Sequence, residues 1–242
     1  VPAERPSFYA LAPGGWRDLV TILHLPYTAW NLSYVAIGAA LAPHFALGRL
    51  GLTLAAFFLA VGVSAHALDE LKGRPLRTQL GDRTLIVLAA VSLAGAIAVG
   101  VGAAVLVSPL IIPLIAFGAV AVPAYNLELA GGRFHNTATF ALAWGAFPAF
   151  TGYFFESLRV RPAGVLIAVA CAGFSVAQRR LSAPARELRR QTVAVAGTAV
   201  RRDGTAFELN VGVLLAPLEG ALRATGVALI LLASALVVLR VQ

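Results

Sequence analysis

The stretch SAHALDELKGRPLR, residues 64–77, closes a long apolar run and places His66, Asp69, Glu70 and Lys72 within seven positions. On a helix, positions i, i+3 and i+4 lie on one side. An imidazole and two carboxylates therefore line one stripe: His66, Asp69 and Glu70. Carboxylate oxygens suit Mg2+, which is held through one or two carboxylates together with substrate phosphates. Asp69 and Glu70 are the candidate metal ligands and catalytic groups, with His66 assisting. Lys72, Arg74 and Arg77 follow at once and can meet phosphate oxygens. Arg179 and Arg180 close another apolar run and complete the parts needed to hold a diphosphate. Each group also has a plainer role. Charges at a helix end are commonly solvated or snorkel to the interface, a histidine there is commonly packed, and Glu70 can pair with Arg74 at i+4.

The elements that must carry these groups are membrane helices. The chain has 242 residues, 59% hydrophobic and 12% charged, with mean hydropathy +0.83. A soluble domain of this length carries about twice that share of charge. Crossing a bilayer takes about 20 apolar residues in a helix, and several stretches qualify. Membrane strands alternate apolar and polar residues, whereas these runs are continuous and rich in Ala, Leu and Gly. The expected fold is an all-α polytopic membrane bundle in a single transmembrane domain, residues 1–242. Spans are expected near 24–43, 48–69, 84–106, 110–127, 136–156 and 162–180. A polar, Pro- and Gly-rich lead-in, 1–20, precedes them, with Trp16 and Arg17 suited to the headgroup layer. Residues 181–206 hold Arg186, Arg189, Arg190, Arg201 and Arg202 and read as a basic loop. Residues 207–240 hold one span near 221–240 preceded by a short helix, or two tight spans broken at Pro217, for a total of seven with eight as the alternative. The single cysteine, Cys171, lies inside a span and has no internal disulfide partner.

The net charge of +8 does not signal nucleic acid, because no run interleaves aromatic and basic residues. Arginines gather instead at the N-terminus and in the loops after spans two, four and six. That asymmetry places those loops and the N-terminus in the cytoplasm, and fits a multi-pass protein of a prokaryotic cytoplasmic membrane. Within span one, Asn31 bridges helices or reaches a polar cavity, since an unpaired amide in hydrocarbon is costly. Tyr125 ends span four ahead of the Arg133 loop. Trp144, Phe147, Phe150, Phe154 and Phe155 make span five aromatic, either as lipid-facing packing or as one wall of a channel for an apolar chain.

The chain resembles the UbiA superfamily of intramembrane prenyltransferases. The first span, HLPYTAWNLSYVAIGAALAP, is similar to that family's Pro-bearing opening helix. The family's span-two motif, Asn-Asp-x-x-Asp-x-x-x-Asp, falls on Ala65, His66, Asp69 and Gly73, where Asp69 matches and Glu70 is an extra acid alongside. AYNLELAGGRFH looks like the family's span-four end through Tyr125 and Arg133. The second aspartate motif belongs after span six, where this chain reads AQRRLSAPARELRR and offers arginines. The resemblance implies a helical bundle around a cavity and a magnesium-bound isoprenoid diphosphate. Asp69 and Glu70 would hold the metal. Asn31, Lys72, Arg74, Arg77, Tyr125, Arg133, Arg179 and Arg180 would hold substrate.

The expected function is transfer of a polyprenyl group from its diphosphate to an aromatic or hydroxyl acceptor. An alternative is a catalytically silent subunit that binds an isoprenoid lipid, quinone or carotenoid, or packs within a larger membrane complex. A transporter ranks below both, because the mid-membrane candidate, Asn31, carries no charge.

Overall fold

Every apolar run forms a helix, because hydrocarbon leaves backbone N–H and C=O groups no partner except each other. The computed structural model describes residues 5–242, so the first four residues of the lead-in lie outside it. Eight helices follow in order: α1 (Trp16–Ile22), α2 (Leu25–Ala40), α3 (Leu47–Gly73), α4 (Asp82–Leu106), α5 (Pro109–Asn126), α6 (residues 137–157), α7 (Pro162–Arg190) and α8 (Val211–Val241). Five of them, α3, α4, α5, α7 and α8, are long and apolar enough to cross a membrane. These make the chain a helical membrane protein in its build.

The shorter α2 is the central helix. Its residues from Ser33 to Ala40 are all buried, against α6, α8, α7 and α3. Helices meet closely in a membrane where small residues let their backbones approach. A Cβ on Gly38 of α2 would stand 2.0 Å from the Ala149 carbonyl oxygen of α6, and one on Gly152 of α6 would stand 2.2 Å from that of Val35. Two glycines, one on each helix, thus fix how near α2 lies to α6.

One stretch differs from expectation, and another settles an open choice. The basic segment 181–206 does not begin as a loop, because α7 continues through Pro184 to Arg190. The reason is burial: Ser182 and Ala185 face the bundle, and that packing outweighs the bond Pro184 removes. Beyond it, Thr198–Val200 (β1) and Ala206–Glu208 (β2) pair as an antiparallel hairpin, Thr198 opposite Glu208. Residues 207–240 were open between one span and two. From Val211 on they form the single helix α8, which runs through Pro217.

Two helices carry π-helical turns, Phe58–Ala65 in α3 and Leu142–Ala146 in α6. Such turns shift the face a helix presents and recur at functional sites.

Candidate functional site

At one end of the bundle the connections bring most of the chain's arginines together. The loop from α3 to α4 starts with Arg74 in the left-handed conformation and is held by a carboxylate beneath it. Glu70 is fully buried. Its oxygens accept from the Leu76 N–H at 2.9 Å, the Thr78 N–H at 2.8 Å and the Thr78 hydroxyl at 2.9 Å. Asp18 does the same work nearby, accepting from the N–H groups of Gly14 and Gln79. Glu70 therefore does not stand with Asp69 as a metal ligand or catalytic acid. The two side chains leave α3 on either side of His66, about 100° apart around the helix, and Glu70 turns into the loop.

Asp69 turns the other way. It is partly buried and lies within electrostatic reach of Arg186 and Arg190. Once α7 runs past residue 180, Arg179, Arg186 and Arg190, spaced by seven and four, fall within about 40° of one face. Arg180 is turned away and exposed, so the expected pair Arg179–Arg180 is replaced by the row Arg179, Arg186 and Arg190. Arg186 lies within electrostatic reach of His24, Tyr27, Asp69 and Tyr125, and its guanidinium donates to the Ser182 hydroxyl at 3.2 Å. Arg190 donates to the Pro6 carbonyl at 3.2 Å and the Ser7 hydroxyl at 3.3 Å. The N-terminal segment is thereby strapped across this end. Beside the strap lies a shallow hollow of about 230 Å³, counting the solvent it opens to, bordered by Ser7, Tyr27, Ser182 and Arg186.

The remaining expected residues divide. Tyr125 joins the cluster, its hydroxyl bonded by Arg179, and the Arg179 guanidinium sits 5.4 Å over the Phe140 ring. His66 donates from Nδ1 to the Gly62 carbonyl at 3.2 Å. Its ring stacks on that of His24, with centroids 4.0 Å apart and planes 9° from parallel. Asn31 is buried, donates to the Tyr27 carbonyl at 2.9 Å and leaves Oδ1 without a partner. Lys72, Arg77 and Arg133 are exposed. Arg74 is bound to Asp82 and the Leu80 carbonyl, so it ties the loop rather than facing Asp69.

Below the cluster lies an apolar slot of about 850 Å³, counting its open side. Phe57 and Val61 of α3, Gly100 of α4, Gly118 of α5, and Trp144 and Phe147 of α6 line it. Trp144 joins slot to cluster, its ring 4.4 Å from that of Tyr125. The π turn of α6 sets it there, and Gly145 permits the approach, since a Cβ would stand 2.7 Å from the Cys171 carbonyl oxygen of α7. The Ser175 hydroxyl donates to the Trp144 carbonyl at 3.3 Å. Sequence reasoning left His24, His135, Trp144, Arg186 and Arg190 out of the site. His135 follows Gly131–Gly132, both with positive φ. That tight turn folds the loop back, so that the His135 ring stacks on Tyr125 at 4.5 Å. The Gly-Gly pair is the signal that was there to be read.

The donors for the expected magnesium do not assemble. Glu70 is committed to the loop, which leaves Asp69 alone of the expected pair, and among the described residues no three His, Cys, Asp or Glu side chains converge as metal ligands. What is built is a cationic cluster closing an apolar slot, suited to an amphiphile with an anionic head. No family model matches the chain, and neither the curated proteins nor the solved structures yield a significant match.

Proposed function

We propose that the protein is a UbiA-like intramembrane prenyltransferase, which moves a polyprenyl group from its diphosphate to an aromatic or hydroxyl acceptor at the cytoplasmic face of a prokaryotic membrane. One observation carries this reading: the apolar slot ends at Trp144, directly under Tyr125 and Arg179. An isoprenoid tail fits the slot, and its reacting carbon then lies where slot meets cluster. Breaking the carbon–oxygen bond leaves its electron pair on the diphosphate. Fixed cations aimed at that developing charge lower the barrier. His135 supplies the proton acceptor. Its Nδ1–H donates to the Tyr125 carbonyl at 3.3 Å with Glu128 3.9 Å away, so Nε2 is free to take the acceptor's proton.

The test is turnover by the purified protein, given geranylgeranyl diphosphate and a panel of phenolic and alcoholic acceptors. Expected is release of diphosphate with a prenylated product, reduced at least about tenfold in Trp144→Ala. The second reading, a silent lipid-binding subunit, is favoured by the engagement of Glu70 in the loop. It predicts no diphosphate release and an isoprenoid lipid co-purifying in the slot.

A further inference from the structure

Three guanidinium groups, Arg179, Arg186 and Arg190, are partly buried along one face of α7. None of them has a carboxylate within 4 Å among the described residues, where the ion pairs formed by side chains are Arg74–Asp82, Glu128–His135, Arg189–Glu219 and Arg223–Glu219. Their hydrogen bonds go to neutral acceptors: the Tyr125 and Ser182 hydroxyls, the Pro6 carbonyl and the Ser7 hydroxyl. Asp69 is the one acid whose charge is shared between Arg186 and Arg190. Among the described residues, Arg186 and Arg190 therefore share Asp69 in a partly dry site, and Arg179 has no carboxylate within 4 Å. Charge withdrawn from water is costly unless it is compensated, and among the described residues positive charge on this face is in excess. Magnesium cannot answer that excess. It needs oxygen ligands at close range, Glu70 is committed elsewhere, and each arginine near Asp69 repels it.

We infer that this cluster binds a phosphate or diphosphate head through guanidinium groups directly, with Arg186 as the central contact and without a divalent cation. The planar fork of arginine matches phosphate oxygens two at a time. Arg186 lies on the α7 face between Arg190 and Arg179, which bonds the Tyr125 hydroxyl, and it borders the hollow beside Pro6–Phe8. That the head belongs to an isoprenoid rests on the proposed function, whereas the recognition of phosphate does not.

The experiment is equilibrium binding to the full-length protein in detergent. The probes are inorganic pyrophosphate and farnesyl thiodiphosphate, each in EDTA and in Mg2+. Expected is binding of both probes in EDTA within about threefold of that in Mg2+, tighter for the farnesyl probe. Arg186→Gln is expected to weaken both by about tenfold or more, as loss of a charge-assisted pair does, with partial recovery in Arg186→Lys. Arg202→Gln, exposed on the hairpin, is expected to leave both unchanged. Thermal unfolding of each variant checks that the fold persists. Binding that requires Mg2+, or that Arg186→Gln leaves intact, overturns the inference while the prenyl reading stands. Pyrophosphate bound without Mg2+ but with no gain from the farnesyl chain upholds the inference and removes the prenyl reading. No binding in either buffer removes both.

Discussion

Glu70 and Asp69 are adjacent acids with opposite roles, and the difference lies in what each can reach. Glu70 lies over the end of α3, where the chain reverses and three donors in the loop need an acceptor. Replacing it with Gln keeps the shape but gives up the charge-assisted bonds and leaves one buried donor poorly paired. That costs about 1–3 kcal/mol. Thermal denaturation of Glu70→Gln should therefore show a clear loss of stability, while binding of a phosphate probe to the folded protein changes little. The opposite pattern would return Glu70 to the site. From residue types and spacing, Asp69, Tyr125 and Arg179 were legible. The direction of Glu70 was not, because its partners, Leu76 and Thr78, reveal themselves only once the loop is folded. The strap adds a proton-linked detail. Burial pushes the Tyr9 phenol above its usual range, so it stays neutral and bonds His24 Nδ1 at 3.0 Å.

Among the elements, helix existence and most helix ends could be read from the apolar runs, since only helices close their own hydrogen bonds. What could not be read was where α7 stops. Pro184 and the arginines around it have the composition of a loop, yet the small inner residues Ser182 and Ala185 keep the helix docked. That continuation, worth ten residues, brings Arg186 and Arg190 onto the face of Arg179. The π turns were equally hidden; each contains a glycine set close against a neighbouring helix, Gly145 against Cys171 and Gly62 against Thr28. At the α2–α6 crossing, each glycine faces the other helix's backbone. Gly38→Ala and Gly152→Ala should each force the helices apart and cost about 1–3 kcal/mol. Gly51→Ala, which meets nothing within 4 Å, should be neutral or mildly stabilising. Unfolding of the three variants side by side checks this, and equal stability would mean that the crossing is looser than drawn.

Across the whole molecule the two ends differ in kind. The basic end holds the cluster and strap. The other end holds Arg49 on the carbonyls of Phe155 and Glu156, each at 3.1 Å. The bias of arginines is the basis for proposing that the basic end faces the cytoplasm. Cys171 is buried, so added cysteines can be read against a silent background. A membrane-impermeant maleimide should label Arg159→Cys in intact cells and Arg202→Cys only after the membrane is opened, and the reverse would invert the protein. The slot has a further consequence. It opens on one side among apolar helices, so in the bilayer that its helices are built to cross, that side faces acyl chains rather than water. A guest arriving by that route is counted per lipid, not per litre. Its affinity is a surface-dilution quantity, expressed as mole fraction in the bilayer and sensitive to how much empty membrane shares the sample.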